Sequence, residues 1–234
     1  MRRVAEEFSR FAKSYSKHNL IQAEVAKKLI AMLPESSYGS ILDLGCGSGE
    51  LYRHLKKRRI TYDHMTAMDI SPEMLELHPK EINLSLLEGD FSAPDFIHSL
   101  PLHHYDLLIS SSALQWSRDL ERTLSVFSSL SEKIYLSFFT AGTFRALHEY
   151  VGIESPIRSE ERVKEMIGKH LDLEFEKVSY TLYFDSVYQM LRYIKESGIS
   201  GGVQRIEYKE TKRLLNRYED RHLEFEVLFA YSKS

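Results

Sequence analysis

Cysteine is almost absent from this sequence of 234 residues, and its scarcity limits the chemistry available. Since Cys46 is the single cysteine, no disulfide can form within the chain, and no cysteine cluster could bind zinc. We therefore expect no metal ion in the protein. A single thiol also suits the reducing cytoplasm, which is the expected compartment.

Long apolar runs and an excess of basic residues are also missing. No run approaches the roughly 20 apolar residues of a membrane span, and the charged N-terminus lacks the apolar core of a secretory signal. The formal net charge is -3, so the chain as a whole attracts neither nucleic acid nor an anionic membrane surface. We expect neither as a partner.

What the sequence does contain is an alternation of strand and helix patterns over residues 21–140. Short apolar runs predict strands, and amphipathic segments between them predict helices. Since strands separated by helices form a mostly parallel sheet covered on both faces, we predict a doubly wound, Rossmann-like α/β fold. The predicted strands are residues 40–46, 64–70, 83–90, 105–112 and 133–140. The predicted helices are 21–33, 50–59, one that begins at Ser71-Pro72, and 119–130.

The remaining patterns predict additions to this core. Phe8, Phe11 and Tyr15 predict an N-terminal helix, and further helices are expected over 159–170, 185–197 and 208–218. A strand over 173–184 and an antiparallel strand over 223–231 complete a seven-stranded sheet. We predict one domain with four parts: a helical cover (1–39), a cofactor-binding core (40–141), substrate-side additions with the last strands (142–222) and a C-terminal strand (223–234).

The strongest local signal is a glycine-rich turn between the first predicted strand and the helix after it. It reads Leu42-Asp43-Leu44-Gly45-Cys46-Gly47-Ser48-Gly49. Doubly wound folds bind ligands here, outside the carboxyl end of the strand, and glycine lets a ligand approach the backbone closely. The cofactor-binding candidates in this turn are Asp43, Leu44, Gly45, Cys46 and Gly47.

The residues around the turn argue against a dinucleotide. Its fingerprint needs a glycine at position 50, where Glu50 stands, and the Asp43 carboxylate would compete with a pyrophosphate for the helix N-terminus. No Gly-Lys-Ser/Thr follows, which excludes a P-loop. The methionine part of S-adenosylmethionine carries an ammonium and a sulfonium, and a carboxylate suits both.

The ends of the next strands fit a nucleoside. Asp69 follows Gly49 by 69 − 49 = 20 positions, where an acid is expected to accept hydrogen bonds from both ribose hydroxyls. Ile70 and Met74 come next, and the flexible Met74 side chain can cover the adenine.

The third and fourth strands end in further candidates. After the third strand, Gly89, Asp90 and Phe91 offer a carboxylate for the adenine amino group and a ring for stacking. Ser110 and Ser111 end the fourth strand, beside the expected position of the reacting methyl. Over residues 40–140 this order of strand ends resembles the class I S-adenosylmethionine methyltransferases, which implies S-adenosylmethionine as cofactor and S-adenosylhomocysteine as its product.

Segments on both sides of this core narrow the resemblance. The spacing of Tyr15, His18 and Gln22 and the segment Leu114-Gln115-Trp116 are similar to the malonyl-acyl-carrier-protein O-methyltransferases of biotin synthesis. Similar positions continue over nearly the whole chain, at Leu147-His148, Phe184-Asp185, Met190-Leu191-Arg192 and Lys195.

The resemblance implies methyl transfer to the free carboxylate of a malonyl thioester on acyl carrier protein, an early step of biotin synthesis. It implies Tyr15, Trp116, His148 and Arg192 as catalytic candidates, and Tyr15, Gln22 and Trp116 as cofactor contacts. Arg192 is the first candidate for holding the substrate carboxylate, because a guanidinium can bind it through two hydrogen bonds, and Lys195 is the second. Structural interpretations stay open: a solvated helix face for Arg192, and packing for the others.

An acidic carrier protein suits a basic docking surface. Residues 1–28 hold seven basic and three acidic side chains, and residues 205–217 hold five basic ones. The basic run over 53–59 instead complements a helix C-terminus at the far end of the sheet. Two other functions remain open: a small-molecule carboxyl or O-methyltransferase of the aconitate type, and a noncatalytic S-adenosylmethionine-binding protein.

Overall fold

The structure is a computed structural model that describes residues 19–197, 213–215 and 218–233. Its strands are β1 (Ser37–Leu44), β2 (Thr61–Asp69), β3 (Leu84–Glu88), β4 (Leu107–Ser111), β5 (Ile134–Phe139), β6 (Leu173–Tyr183) and β7 (His222–Ser232). They form one seven-stranded sheet in the order β3-β2-β1-β4-β5-β7-β6.

The pairing confirms the predicted sheet. β1 pairs in parallel with β2 and β4, and the parallel pattern continues to β3 on one side and β5 on the other. β7 pairs antiparallel with both β5 and β6 and so is inserted between them. The carboxyl ends of β1, β2 and β4 therefore meet at one edge of the sheet.

Helices cover both faces of the sheet, which confirms the doubly wound architecture. The side chains of β1 alternate: Ile41 packs into one apolar layer, while Leu42 and Leu44 pack into the other. All three are fully buried. The helices are α1 (Leu20–Ala31), α2 (Glu50–Lys57), α3 (Pro72–Leu77), α4 (Leu120–Ser125), α5 (Phe127–Leu130), α6 (Arg145–Val151), α7 (Glu160–Gly168) and α8 (Val187–Glu196).

Local sequence explains where α3 begins and why one predicted helix is divided. The Ser71 hydroxyl accepts a hydrogen bond from the Met74 amide at 3.2 Å, with Pro72 at the first helical position. The predicted helix over 119–130 is instead two short helices, α4 and α5, with a break at Val126. The Ser125 hydroxyl donates to the Arg122 carbonyl at 2.7 Å, and such bonds compete with helical geometry.

Some predictions fall outside the described residues. These are the helix on Phe8, Phe11 and Tyr15, and most of the predicted helix over 208–218. In the part of the chain that the structure describes, no helix has the length and apolar character needed to cross a membrane. The division of the domain into four parts stays a prediction.

Candidate active site

A cleft opens at the sheet edge where β1, β2 and β4 end. Ten of the residues predicted from the sequence line it: Gln22, Gly45, Cys46, Gly47, Asp69, Ile70, Met74, Phe91, Ser111 and Trp116. The lining also includes Ala26, Ser48, Glu50, Leu51, Ser112 and Ala113. Thus the cleft combines the glycine turn, the ends of three strands and one face of α1.

The glycine turn is fixed between two neighbouring strand ends. The amides of Gly45 and Cys46 both donate to the Met68 carbonyl of β2, at 2.8 and 3.0 Å. On the other side, a Cβ atom at Gly45 would lie 2.3 Å from the Cβ of Ala113, which follows β4. The turn can approach Ala113 this closely only because position 45 is glycine.

Gly47 faces open space. Its φ is +53°, which favours glycine, and a Cβ added there would meet no atom of the described residues within 4 Å. Its amide donates to Asp69 Oδ2 at 2.8 Å, so the turn is tied to the end of β2. A ligand could therefore approach the backbone on this side.

Asp69 is held in place at the end of β2. Its Oδ2 accepts from Gly47 and its Oδ1 accepts from the Ser71 amide at 2.9 Å. Burial raises the pKa of the Asp69 carboxyl, while hydrogen bonds from the Ser71, Gly47 and Ile70 amides act in the opposite direction. A fixed carboxylate of this kind can accept from ligand hydroxyls.

Asp43 lies behind the turn, in β1, and does not line the cleft. Its side chain is fully buried, and neither carboxylate oxygen has a hydrogen-bond partner in the described structure. Burial, and then the nearby charge of Asp69, raises the pKa of Asp43 well above its ordinary value. Because a buried carboxylate without a partner is costly, the site favours a cationic ligand group nearby.

The other predicted residues that do not line the cleft support it from behind. Leu44 packs in the core, and the Ser110 hydroxyl donates to the Leu44 carbonyl at 2.6 Å. Gly89 packs against Met68. Asp90 accepts from the Ser92 amide at 2.8 Å, which shapes the turn that presents Phe91.

The apolar side of the cleft comes from α2, α3 and the end of β3. Met74 is 1% exposed and Phe91 is 4% exposed, and Ile70 and Leu51 also line the cleft. A thioether and an aromatic ring in the lining of one cleft offer apolar surface suited to a flat heterocycle.

The turn after β4 forms another part of the lining. Ser112 has a φ of +56°, rare for a residue with a side chain. Its hydroxyl is buried without a hydrogen-bond partner among the described residues, and its carbonyl accepts from the Gln115 side-chain amide at 2.7 Å. The turn then places Trp116 on the cleft.

The predicted substrate residues are distributed differently. Trp116 lines the cleft, while His148 lies on α6 beside Phe144, and burial lowers its pKa. Arg192 lies on the exposed face of α8, with its side chain 60% exposed and its Nε donating to Glu196 at 2.9 Å. Neither His148 nor Arg192 is among the residues that line the cleft, and Tyr15 lies outside the described residues.

Six of the lining residues were not among the predicted contacts: Ala26, Ser48, Glu50, Leu51, Ser112 and Ala113. Ser112 and Ala113 directly follow the predicted Ser111. Ala26 lies one turn after Gln22 on the same face of α1, a spacing that could have indicated it. Ser48, Glu50 and Leu51 continue from the glycine turn into the first turn of α2. Their proximity to the turn was a sufficient signal.

Gln22 connects the cleft to the substrate-side additions. Its side-chain Nε2 donates to the Ser197 carbonyl, just after α8, at 2.9 Å. Its Oε1 is buried without a partner in the described part of the chain. The residue thus links α1 and α8 and leaves one acceptor beside the cleft.

Several known proteins are similar to this chain in sequence. Residues 41–132 match a family described as "Methyltransferase domain". The chain is 27% identical to a malonyl-[acyl-carrier protein] O-methyltransferase of Bacteroides thetaiotaomicron over 208 residues, 85% of this chain and 77% of that protein. It is 37% identical to the enzyme of the same name from Acetivibrio thermocellus over 146 residues, which cover 60% of this chain and 50% of that protein.

Solved structures agree on the fold. A protein from Anabaena variabilis, described as a methyltransferase of an antibiotic biosynthesis pathway, superposes with a TM-score of 0.64 at 15% identity, covering 88% of this chain and 96% of that one. The predicted resemblance to the malonyl-acyl-carrier-protein O-methyltransferases is confirmed by the similar sequences. The chain therefore matches a methyltransferase domain over residues 41–132, has the fold of a solved methyltransferase, and is similar over most of its length to the malonyl-acyl-carrier-protein O-methyltransferases.

Proposed function

We propose that this protein transfers a methyl group from S-adenosylmethionine to the free carboxylate of a malonyl thioester on acyl carrier protein, early in biotin synthesis. The observation that carries the proposal is the similarity to enzymes of that name over 208 residues, well beyond the methyltransferase domain at residues 41–132.

The cleft fits the proposed cofactor. In the proposal, Asp69 accepts from the ribose hydroxyls, Met74 and Phe91 enclose the adenine, and the open side of Gly47 receives the methionine part. The buried Asp43 carboxylate, which has no hydrogen-bond partner in the described structure, offsets positive charge there. S-adenosylmethionine supplies a methyl group made reactive by its sulfonium.

The proposed reaction requires the protein to position the reactants but not to supply a general base. A malonyl carboxyl has a reference pKa of about 4 and is ionised at neutral pH, so no general base is required. The walls of the cleft must align the carboxylate with the methyl group and exclude water. In this proposal Trp116 and the turn after β4 form the wall on the acceptor side.

The substrate carboxylate needs a cationic or hydrogen-bonding partner once it leaves water. Arg192, Lys195, His148 and Tyr15 stay the candidates for this role. We further propose that the carrier protein docks on the basic residues of segments 1–28 and 205–217, in the cytoplasm. Within the second segment, the Arg213 guanidinium lies over the Tyr150 ring at 5.3 Å, which orients one cation beside α6.

The test is methyl transfer from labelled S-adenosylmethionine, with four acceptors in parallel: malonyl-acyl carrier protein, malonyl-coenzyme A, free malonate and aconitate. We expect rapid labelling of the carrier-bound malonyl group, slower labelling of the coenzyme A thioester and none of the free acids. If only a free acid were labelled, that acid would be the acceptor and the proposal of a carrier-bound malonyl group would be wrong. Binding of S-adenosylhomocysteine without any transfer would instead favour a noncatalytic binding protein.

A further inference from the structure

Trp116 is flanked by two backbone carbonyls that accept from a single distant side chain. Arg158 donates from Nη1 to the Gln115 carbonyl and from Nη2 to the Ser117 carbonyl, both at 3.0 Å. These two residues immediately precede and follow Trp116 in the chain. The guanidinium therefore bridges the short turn that presents the tryptophan to the cleft.

Arg158 is itself held by the fold. It lies between α6 and α7, where its carbonyl accepts from the Ala141 amide at 3.0 Å, just after β5. The preceding residue, Ile157, is buried in the apolar core, and the following Ser159 caps α7. The backbone is thus fixed on both sides of Arg158, which restricts where its side chain can reach.

The environment of the guanidinium suits a structural bridge better than a surface contact. Arg158 is half-buried, and burial lowers its pKa while the nearby Asp119 carboxylate opposes that change. A buried guanidinium needs its hydrogen bonds, and charge-assisted bonds to carbonyl oxygens are stronger than neutral ones. The Ser117 hydroxyl is already hydrogen-bonded to the Thr123 hydroxyl at 2.9 Å.

We propose that Arg158 is a positioning residue for methyl transfer: by bridging the carbonyls on both sides of Trp116, it fixes the acceptor wall of the cleft. The role in transfer rests on the proposed function, whereas the effect on Trp116 does not. Arg158 does not line the cleft, and it acts on the reaction through Trp116. The segment after α6 thereby becomes part of the active-site architecture.

The experiment uses the full chain and exploits the fact that Trp116 is its only tryptophan. Arg158→Ala and Arg158→Lys are compared with the wild type, and Arg162→Ala is the matched control. Arg162 is an exposed arginine paired with Glu165. Lysine retains the charge of Arg158 but lacks the planar fork that bridges two carbonyls.

Three quantities are measured: acrylamide quenching of tryptophan fluorescence, the Kd of S-adenosylhomocysteine, and kcat and KM with malonyl-acyl carrier protein per mole of folded enzyme. For Arg158→Ala we expect stronger quenching and a kcat lower by about tenfold, with acceptor KM changed less than about threefold. Arg158→Lys should recover only part of both losses, and Arg162→Ala should match the wild type.

Unchanged quenching in Arg158→Ala would overturn the proposal, as would a normal kcat per mole of folded enzyme. If Arg158→Ala does not fold, Arg158→Lys decides by the same two readouts. If the wild type does not methylate the carrier-bound malonyl group, the proposed acceptor fails, and quenching alone then tests whether Arg158 fixes Trp116.

Discussion

The open side of Gly47 permits a test of the cofactor site that separates ligand contact from backbone strain. Gly47 and Gly152 both have positive φ, at +53° and +79°, and a Cβ added at either meets no atom within 4 Å in the described part of the chain. Gly152 follows α6, while Gly47 lines the cleft. Alanine at either position therefore has a similar backbone cost and no clash with the described residues.

The expected magnitudes follow from that equivalence. Alanine in the left-handed region costs about 1–2 kcal/mol, and for a chain of this size each 1 kcal/mol lowers Tm by about 2–4 °C. Both variants should therefore melt a few degrees below the wild type. Only Gly47→Ala places a methyl group where the ligand is proposed to approach. A loss of about 1.4 kcal/mol or more in binding there means an affinity at least about tenfold lower.

The assay is calorimetric titration with S-adenosylhomocysteine, together with thermal unfolding of each ligand-free protein. Gly152→Ala should bind as the wild type does. If Gly47→Ala also bound within a factor of about two of the wild type, the ligand would not occupy the space beside Gly47, and the assignment of the glycine turn to the methionine part would be wrong.

Two further changes test the buried carboxyl of Asp43 behind the cleft and the exposed guanidinium of Arg192 outside it. Because burial raises the pKa of Asp43 in the folded state, the contribution of this carboxyl to stability is fully present below its unfolded pKa of about 4 and is lost as pH rises through the folded pKa. Asp43→Asn should therefore stabilise the ligand-free protein increasingly above about pH 4 in urea unfolding, while weakening cofactor binding; a pH-independent difference would contradict the assignment of a buried carboxyl. Arg192→Ala should leave Tm and cofactor binding unchanged, because Arg192 is exposed and its bond is to Glu196. If it holds the malonyl carboxylate, the same variant should raise the acceptor KM in steady-state assays, and an unchanged KM would remove it as a candidate.

The sheet and the main residues of the cleft could be predicted because their signals are local. The Ser71-Pro72 start of α3 lies within a few positions of the structure it determines. Asp69 and Gly47 end and follow successive parallel strands, and parallel topology brings such ends together at one edge. The alternating pattern of residues 223–231 likewise indicated the antiparallel strand, although not the register of its pairing with β5 and β6.

Features that depend on distant contacts could not be predicted in this way. Nothing near Arg158 in the sequence indicates Gln115 or Ser117, which lie more than 40 positions earlier. The break at Val126 depends on a serine side-chain bond that competes with a helical pattern. The placement of Arg192 could have been predicted from the helical pattern. Met190 and Ile194 are one helical turn apart and buried, which leaves Arg192 on the other face of α8.

The insertion of β7 between β5 and β6 has a consequence for synthesis of the chain. β6 is the outermost strand of the sheet and pairs with β7, which lies last in the sequence. Until β7 emerges from the ribosome, β5 and β6 lack the strand that joins them, so each presents an unpaired edge. The nascent protein can complete the cofactor side early, but its sheet closes only once residues 222–232 have been synthesised. Interruption of synthesis before residue 222 would therefore leave two open edges that favour aggregation.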